Sequence, residues 1–412
     1  MIALTMALLL PILLWGQLRL RTRPTQARLL VLLVGAYVFR IAFHLVASDY
    51  PFFSYGAGGD AIMYDELARL ILHMWDIKGP FYATGDDLPL LGRTTLPSNL
   101  FALIGFLNAG EPARFACTAF VAYVACQTVL LLHDTAMDFH GDPDDVFKVC
   151  AIVSFSPAFV LYSSDTYKDG IVAFLVVWSM SCILRFTRKL DPWLIAQSFV
   201  AMLGLYLTRF YLVFLIAMPL VASLLAGKSR TRNAVMVVAL VAFVPIVMEF
   251  TDLFHSAGEA ANAAYDVARN PNGHAENARF GSGVELAGDD SLLGLSIVRV
   301  VYTLFSPFPW QTGSLALHLG KIDTFLWYYL LWRGTRSARE LWTRDQALLL
   351  CFGLVLVLGL LMYSVIMSNV GLILRERFPL LLIAALLGMC RAPEDVAAQA
   401  DEPDDSAVDL AT

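Results

Sequence analysis

The chain has 412 residues, of which 58% are hydrophobic and only 16% are charged. Soluble domains carry about 25% charged residues, so this composition excludes a cytosolic enzyme and a disordered protein and argues against a nucleic-acid partner. The apolar runs are solid rather than alternating, which also excludes a porin-like barrel. We therefore predict an all-α, polytopic bundle of transmembrane helices.

The apolar runs recur along the chain and predict about eleven crossings. The predicted spans cover residues 2–17, 29–47, 115–133, 149–163, 170–186, 192–207, 210–226, 234–250, 318–332, 346–367 and 378–390. The first run lacks the basic start of a secretory signal peptide, so we expect it to remain as a span. The run 96–109 is expected to be re-entrant or interfacial, and 291–310 to be a surface helix. If 96–109 crossed instead, 149–163 would not, and the loop at 134–148 would move to the outside.

The placement of arginine and lysine orients the predicted bundle. Basic loops follow apolar runs at 19–28, 185–189, 228–232 and 333–344. Because Lys and Arg in short loops concentrate on the cytoplasmic side, we expect the N-terminus outside and the C-terminus inside a bacterial inner membrane. Two large loops, at about 48–114 and 251–317, then fall on the extracytoplasmic face.

Residues 1–390 are expected to form one integral-membrane domain, and residues 391–412 a disordered acidic cytoplasmic tail. The tail has one arginine and seven acids. Removing these from the 29 basic and 35 acidic residues of the chain leaves 28 of each, a neutral body. The six cysteines lie in or beside apolar runs without Cys-x-x-Cys spacing. This pattern predicts buried thiols, with no disulfide framework and no metal site.

The first unusual polar motif is GGDAIMYDELA, in the first predicted outer loop. Gly58, Gly59 and Asp60 predict a turn that leads into a helix. The apolar face of that helix would be formed by Ala61, Tyr64, Leu67, Ala68, Ile71 and Leu72. Asp60 is either a helix cap or a carboxylate at the membrane surface that is free for chemistry.

Two further motifs put charges beside the predicted spans. Asp165, Lys168 and Asp169 are spaced i, i+3, i+4 and would share one helical face. Lys168 is then either part of an ion-pair network or a phosphate-binding lysine positioned by its acids. Arg209 divides the apolar stretch 192–226, which we expect to be a tight hairpin with the arginine at its outer tip. There it either snorkels or binds an anion.

The C-terminal half contributes two more motifs. FSPFPWQ, at 305–311, carries two prolines that cannot continue a helix, and Trp310 is a natural interface anchor. Arg375 and Arg377 precede the last predicted span. Counting the predicted spans places them on the extracytoplasmic side, whereas arginine usually concentrates on the cytoplasmic side. They are either interfacial anchors or ligands of an anion, since a guanidinium fork matches phosphate oxygens.

These features converge on one predicted face beside lipid, and they suit one chemistry. A carboxylate acts as a general base on a sugar hydroxyl, while cations stabilise a departing lipid-linked phosphate or diphosphate. The sequence has no GxxxxGK[ST] or strand-associated GxGxxG nucleotide motif, and a donor carried by a lipid needs none. The loop 251–290 is expected to be a mobile lid over the acceptor site, with His274 as a solvated loop residue.

GGDAIMYDELA resembles the acidic loop motif of the GT-C superfamily of integral-membrane glycosyltransferases, which use polyprenyl-phosphate or polyprenyl-diphosphate sugars outside the cytoplasm. YSSDTYKDG, FSPFPWQ and RERFPLLL also resemble features of bacterial O-antigen-type polysaccharide polymerases. The resemblance implies a GT-C-like fold, with interfacial or re-entrant helices on the extracytoplasmic side, and an inverting transfer that uses a carboxylate base. One departure is that Ala61 follows Asp60 where many members carry paired acids.

The resemblance also implies roles for individual residues. Asp60 would be the general base or would orient the acceptor. The expected ligands of the lipid phosphate are Lys168, Arg209, Arg375 and Arg377. The expected supporting residues are Tyr64, Asp65, Asp165, Asp169 and Trp310, of which Tyr64 and Trp310 would stack on a sugar or guide the lipid. No cofactor is certain, and a divalent metal (Mg or Mn) between the phosphate and Asp60 stays open.

Two other functions stay open at this point, a flippase for lipid-linked sugars and a non-catalytic scaffold of a polysaccharide export complex. A flippase should line the depth of the membrane with charge, whereas few charges fall inside the predicted spans. A scaffold has no need of Asp60, Lys168 and Arg375 together. For the transferase, the expected partners are the lipid bilayer, a polyprenyl-linked sugar donor and a glycan or glycolipid acceptor. Neither the sugar nor the choice between a single-sugar transferase and a polymerase follows from the sequence.

Overall fold

The computed structural model describes residues 2–19, 26–49, 59–189, 191–225, 292–311, 315–366 and 370–391. Within these ranges the regular secondary structure is helical. The helices are α1 (Ile2–Arg19), α2 (Gln26–Asp49), α3 (Gly59–Lys78), α4 (Leu96–Leu107), α5 (Arg114–Asp138), α6 (Pro143–Ser154), α7 (Pro157–Leu161), α8 (Lys168–Arg188), α9 (Pro192–Arg209), α10 (Tyr211–Leu225), α11 (Leu292–Phe305), α12 (Leu315–Arg344), α13 (Gln346–Ile366) and α14 (Val370–Met389). The predicted span 234–250, the loop 251–290 and the tail from 392 onward lie outside the described residues.

Four of these helices are long and apolar enough to cross a membrane. The crossing segments are Gln26–Ala47, Arg114–Asp138, Lys168–Arg188 and Gln346–Ser364. At 1.5 Å per residue, a helix of this length covers about 30 Å, the thickness of the hydrocarbon core. The predicted membrane character of the chain is confirmed at this level, and the count of eleven crossings stays a prediction.

Most of the described buried hydrophobic side chains form one cluster that extends from Leu10 to Cys390. Helix α8 lies at its centre and packs against α5, α9, α10 and α14. The apolar face predicted for α3 is confirmed, because all six of its side chains are buried and the helix packs against α4. The six cysteines are free and buried, also as predicted.

Two Phe-Ser-Pro sequences interrupt the helical structure. The first, at 155–157, splits the predicted span 149–163 into α6 and α7, so the expectation of one continuous helix there is wrong. Pro157 lacks a backbone N–H, and the Ser156 hydroxyl caps the new helix by accepting from the backbone N–H of Phe159. The buried Arg40 donates to the carbonyl of Ser154 at 3.0 Å, which satisfies backbone freed by the break.

The second Phe-Ser-Pro sequence, at 305–307, ends α11. Helix α12 contacts both Phe-Ser-Pro breaks. Asp323 on α12 accepts from the Ser156 hydroxyl at 2.7 Å, and its neighbour Thr324 donates to the carbonyl of Ser306 at 3.1 Å. Both α12 side chains are buried. Two adjacent residues of α12 therefore fix the position of one Phe-Ser-Pro break relative to the other.

The basic segment 333–344 is helical, which corrects the expectation of a cytoplasmic loop there. It forms the C-terminal half of α12, because its sequence contains good helix formers and no proline. Its one glycine, Gly334, lies where α12 meets α14, and a Cβ there would be 3.3 Å from the Leu387 side chain. The two helices consequently approach closely along this segment.

Residues 192–225 of the stretch 192–226 form the predicted hairpin, with α9 and α10 meeting at Phe210. Helix α4 is 12 residues long, or about 18 Å, which is too short to cross a bilayer. That length agrees with the expectation that 96–109 does not span.

Charges gather at the two ends of α8. At its C-terminal end Arg185 donates to Asp138 at 2.9 Å, Arg333 pairs with Asp145, and the Arg391 guanidinium lies 3.6 Å from Asp145. We call this the arginine-rich end. The other end holds the residues that the sequence singled out.

Candidate functional site

Four helix segments bring charged side chains together at the N-terminal end of α8. These are the first turn of α3, the first turn of α8, the last residue of α9 and the second turn of α14. The five side chains they contribute, here called the ion-pair network, are Asp60, Asp169, Arg209, Arg375 and Glu376. The network joins parts of the chain that are up to about 300 residues apart in sequence.

Arg209 is the buried centre of the network. It is 4% exposed and pairs with both Asp169 and Glu376, which are 1% and 5% exposed. The Tyr211 hydroxyl donates to the same Glu376 carboxylate at 3.2 Å. The hairpin tip therefore turns inward, so the expectation that Arg209 snorkels is wrong. Two carboxylates pair with its guanidinium, and its role as a ligand of the lipid phosphate stays a prediction.

Arg375 connects this buried centre to a more exposed carboxylate. Its Nε and Nη2 both lie 2.8 Å from Oδ2 of Asp169, and its Nη1 lies 2.5 Å from Oδ2 of Asp60. Burial lowers the pKa of Arg375, but the carboxylates of Asp169 and Asp60 raise it by more, so the guanidinium stays charged. The Asp60 side chain is 40% exposed, against 2% for Asp169. A ligand at the surface therefore reaches Asp60 and the outer edge of Arg375 first.

Lys168 lies beside the network without a carboxylate of its own. In the part of the chain that the structure describes, no acid comes within ion-pairing distance of its ammonium group. The ammonium instead lies 3.4 Å from the Thr94 hydroxyl and 5.7 Å from the centre of the Tyr64 ring. Burial raises the pKa of Tyr64, and the negative charge of Asp60 raises it further. Tyr64 is therefore a neutral phenol, and its ring face attracts the cation.

Asp165 does not share a face with Lys168 and Asp169, which corrects the sequence-based expectation. Helix α8 begins at Lys168, so Asp165 lies in the preceding turn and pairs with Arg114 at 2.7 Å. The next residue, Thr166, donates its hydroxyl to the carbonyl of Ala61 at 2.9 Å. This turn therefore attaches the start of α3, next to Asp60, to the start of α8.

Arg377 is separated from Arg375 although only one residue lies between them. It is 2% exposed, donates to the carbonyls of Thr303, Leu304 and Ser306, and donates to the Thr324 hydroxyl. Its guanidinium therefore stabilises the second Phe-Ser-Pro break and is not positioned beside Asp60. The expectation that both arginines serve one anion is wrong for Arg377.

Two other residues that the sequence singled out also lie outside the network. Trp310 is 75% exposed and stacks on Phe308 with the ring centres 4.8 Å apart. Asp65 pairs with Arg69 one helical turn further along α3, at 2.9 Å. Neither contact joins these residues to Asp60 or Lys168.

Sequence reasoning missed three residues that complete this arrangement: Glu376, Tyr211 and Thr94. Glu376 sits between the two arginines that the sequence did single out, and a carboxylate between arginines next to an apolar run was a usable signal. Thr94 gave no signal, since it comes from an ordinary Gly-Arg-Thr-Thr loop. That loop reaches the network because the Thr94 hydroxyl donates to the carbonyl of Thr208, one residue before Arg209.

Within the described ranges, no group of three or more His, Cys, Asp or Glu residues is arranged to hold a metal ion. Neither protein-family models nor curated proteins nor solved structures give a match to this chain.

Proposed function

We propose that this protein is a membrane glycosyltransferase. It would take a sugar from a polyprenyl-phosphate or polyprenyl-diphosphate donor and build or polymerise an extracytoplasmic polysaccharide or glycolipid. One observation carries the proposal. A partly exposed carboxylate, Asp60, lies against a cation, Arg375, that buried Asp169 holds in place. Beside them is the ammonium of Lys168, which has no acid within ion-pairing distance among the described residues. A base and two cations at one surface site are what transfer from a phosphate leaving group requires.

The chemistry follows from this arrangement. The donor phosphate displaces Asp60 from the outer edge of Arg375 and also binds the ammonium of Lys168. The released Asp60 carboxylate accepts the proton of an acceptor hydroxyl, whose oxygen attacks the anomeric carbon. The bond between that carbon and the phosphate oxygen breaks, and the electron pair leaves with the phosphate. Both cations stabilise the charge that develops there, and the configuration at the anomeric carbon is inverted.

The distribution of charge supports an extracytoplasmic site. The arginine-rich end carries the excess of basic residues that marks the cytoplasmic side, and the ion-pair network lies at the opposite end of α8, about 30 Å away. In this proposal the bundle crosses a bacterial inner membrane about eleven times, with a GT-C-like arrangement.

The test is transfer of radiolabelled sugar from a synthetic polyprenyl-linked donor by the purified full-length protein. Asp60→Asn is compared with Asp76→Asn, the same substitution at an exposed position near the other end of α3. We expect Asp60→Asn to lower turnover by about 10²–10⁴-fold, the range for loss of a general base, and Asp76→Asn to retain it. A product ladder from the wild type would mean a polymerase, and a single band a single-sugar transferase.

Donor binding separates the transferase from the two other functions. Lys168→Gln and Arg375→Gln should weaken donor binding as well as turnover, because both cations contact the phosphate. Donor binding without turnover in the wild type would contradict the transferase, whereas full activity in Asp60→Asn would contradict the assignment of Asp60 as its base. The first result would favour a flippase or a scaffold, because both can hold the lipid without cleaving it.

A further inference from the structure

The charged side chains of the candidate site balance one another. Five of them form the ion-pair network, and the ammonium of Lys168 lies beside it, 5.7 Å from the centre of the Tyr64 ring. We call these six side chains the site charges. Their acidic members are Asp60, Asp169 and Glu376, and their basic members are Lys168, Arg209 and Arg375. At neutral pH the site charges therefore sum to zero.

The charged residues on the adjoining segments leave this balance unchanged. Arg114 and Asp165 pair with each other at 2.7 Å, so their charges cancel. Arg93 is exposed, and its guanidinium lies over the Phe210 ring, 5.1 Å from the ring centre. Water and salt screen an exposed charge strongly, whereas a buried charge keeps most of its effect. The balance that a bound ligand meets is therefore that of the site charges.

Asp60 is the acidic site charge that a ligand can displace. Its side chain is 40% exposed, so it stays hydrated when it turns away from Arg375. Asp169 and Glu376 are buried, and both pair with Arg209. Once a phosphate has taken the place of Asp60, two carboxylates and three cations remain around it. The surplus is a single positive charge.

The two classes of donor that suit the proposed function differ by one charge. When one phosphate links a sugar to a polyprenol, that phosphate is a diester with one ionisable oxygen, and it carries one negative charge. A diphosphate link has two ionisable groups and two negative charges. The single charge equals the surplus of the site, whereas the second charge of a diphosphate has no counterpart among the site charges. An uncompensated charge in a partly buried site is unfavourable.

We infer that the donor is a polyprenyl-monophosphate sugar, with one negative charge on its linking phosphodiester. This inference rests on the proposed function and narrows it to one class of donor. Arg375 and Lys168 contact the single phosphate, and the displaced Asp60 stays at the surface beside it as the base. A diphosphate donor would bind well only together with a further cation from solution.

The test compares two probes that share a chain and differ in the number of phosphates. They are citronellyl methyl phosphate, a diester with one negative charge, and citronellyl methyl diphosphate, which is esterified at both ends and has two. The methyl group replaces the sugar, so no sugar has to be chosen. Binding to the full-length protein in detergent is measured by isothermal titration calorimetry, first with EDTA and then with millimolar Mg²⁺.

With EDTA, the phosphate probe should bind about tenfold or more tightly than the diphosphate probe, because the second charge is uncompensated. Mg²⁺ should remove most of this difference, since it binds diphosphate oxygens and offsets their charge. The Asp60→Asn variant should bind the phosphate probe more tightly than the wild type, because no carboxylate then competes for Arg375. Its matched control, Asp76→Asn, should leave the affinity unchanged.

A second pair of variants tests which cations are counted. Lys168→Gln should weaken the binding of the phosphate probe about tenfold, the range for one charged contact. Arg93→Gln, the control at an exposed basic position, should change it by about twofold or less, since its charge is screened. Equal losses in the two variants would mean that the site uses a further cation, and the inferred charge balance would be wrong.

Two results with the wild type separate the inference from the proposed function. Equal or tighter binding of the diphosphate probe with EDTA would overturn the inference and leave the transferase standing, with a diphosphate donor. Binding of neither probe would mean that no lipid phosphate is recognised at this site, which would contradict the proposed function together with the inference. An affinity for the phosphate probe that Asp60→Asn leaves unchanged would contradict the displacement of Asp60, on which the single surplus charge depends.

Discussion

Replacing Arg209 by methionine should destabilise the protein, because the buried carboxylate of Glu376 loses its cationic partner. Asp169 keeps Arg375 as a partner, with 2.8 Å contacts. Glu376, which is 5% exposed, is left with the Tyr211 hydroxyl at 3.2 Å as its one hydrogen-bond donor among the described residues. Removing one partner of a buried ion pair costs about 3–5 kcal/mol, since the other charge stays buried and uncompensated. Methionine fills a similar volume, so this cost is mainly electrostatic.

The second variant combines Arg209→Met with Glu376→Gln and removes the orphaned charge as well. A buried neutral amide with incomplete hydrogen bonding costs about 1–3 kcal/mol, so the double variant should be more stable than Arg209→Met alone. An unfolding entropy of about 2.1 cal/mol/K per residue, applied to 412 residues, gives about 0.9 kcal/mol per degree. The Tm should fall by about 3–6 °C in the single variant and by about 1–3 °C in the double variant.

The assay can use the six free cysteines, all of which are buried. A thiol-reactive fluorogenic dye reports their exposure as the detergent-solubilised protein is heated. The control is Arg28→Met, which removes an ion pair to Asp144 whose side chains are 55% and 64% exposed. Exposed pairs contribute about 0–1 kcal/mol, so its Tm should change by about 1 °C or less. A double variant that melts no higher than Arg209→Met would refute the reasoning, because the orphaned charge would then not be the cause.

The remaining predictions concern other parts of the bundle. Arg377→Met removes a donor from the Thr303 carbonyl, while the Leu304 and Ser306 carbonyls keep the indole of Trp327 and the Thr324 hydroxyl. It should cost about 1–3 kcal/mol, seen as a lower Tm, with donor affinity unchanged. Gly141→Ala should destabilise by about 1–3 kcal/mol, since the new Cβ would lie 2.9 Å from two carbonyl oxygens. Gly353→Ala meets open space in α13 and should raise the Tm by about 1 °C. Thr166→Val should lower sugar transfer by about tenfold through misplacement of Asp60, with little change in Tm. Weaker donor binding in Arg377→Met, or equal shifts for both glycines, would contradict these assignments.

Part of the candidate site could be predicted from sequence because its residues break a local pattern. Asp60, Lys168, Arg209 and Arg375 are charges at the edges of apolar runs, and exclusion of charge from a bilayer makes such residues conspicuous. The structure brings these four together at one end of α8. Their roles in transfer remain a proposal.

The separation of Arg377 from Arg375 also has a local cause. Two residues apart on a helix means a rotation of about 200°, so the two side chains leave α14 on nearly opposite faces. Treating them as a pair overlooked this geometry.

The residue at which α8 begins could not be predicted in the same way. The i, i+3, i+4 spacing of Asp165, Lys168 and Asp169 has meaning only inside a helix, and the helix begins at Lys168.

The sequence alone determined that this chain is helical and built for a membrane, and it determined which face of α3 is buried. These properties follow from composition and from periodicity within about twenty residues, which are local quantities. Only the tertiary structure decided which acidic residue forms an ion pair with which arginine. Asp169 faces Arg209 and Arg375 across 40 and 206 positions of sequence, and Asp145 faces Arg333 across 188. Ion pairs are set by the packing of whole helices, because a buried charge must find an opposite charge wherever the fold provides one.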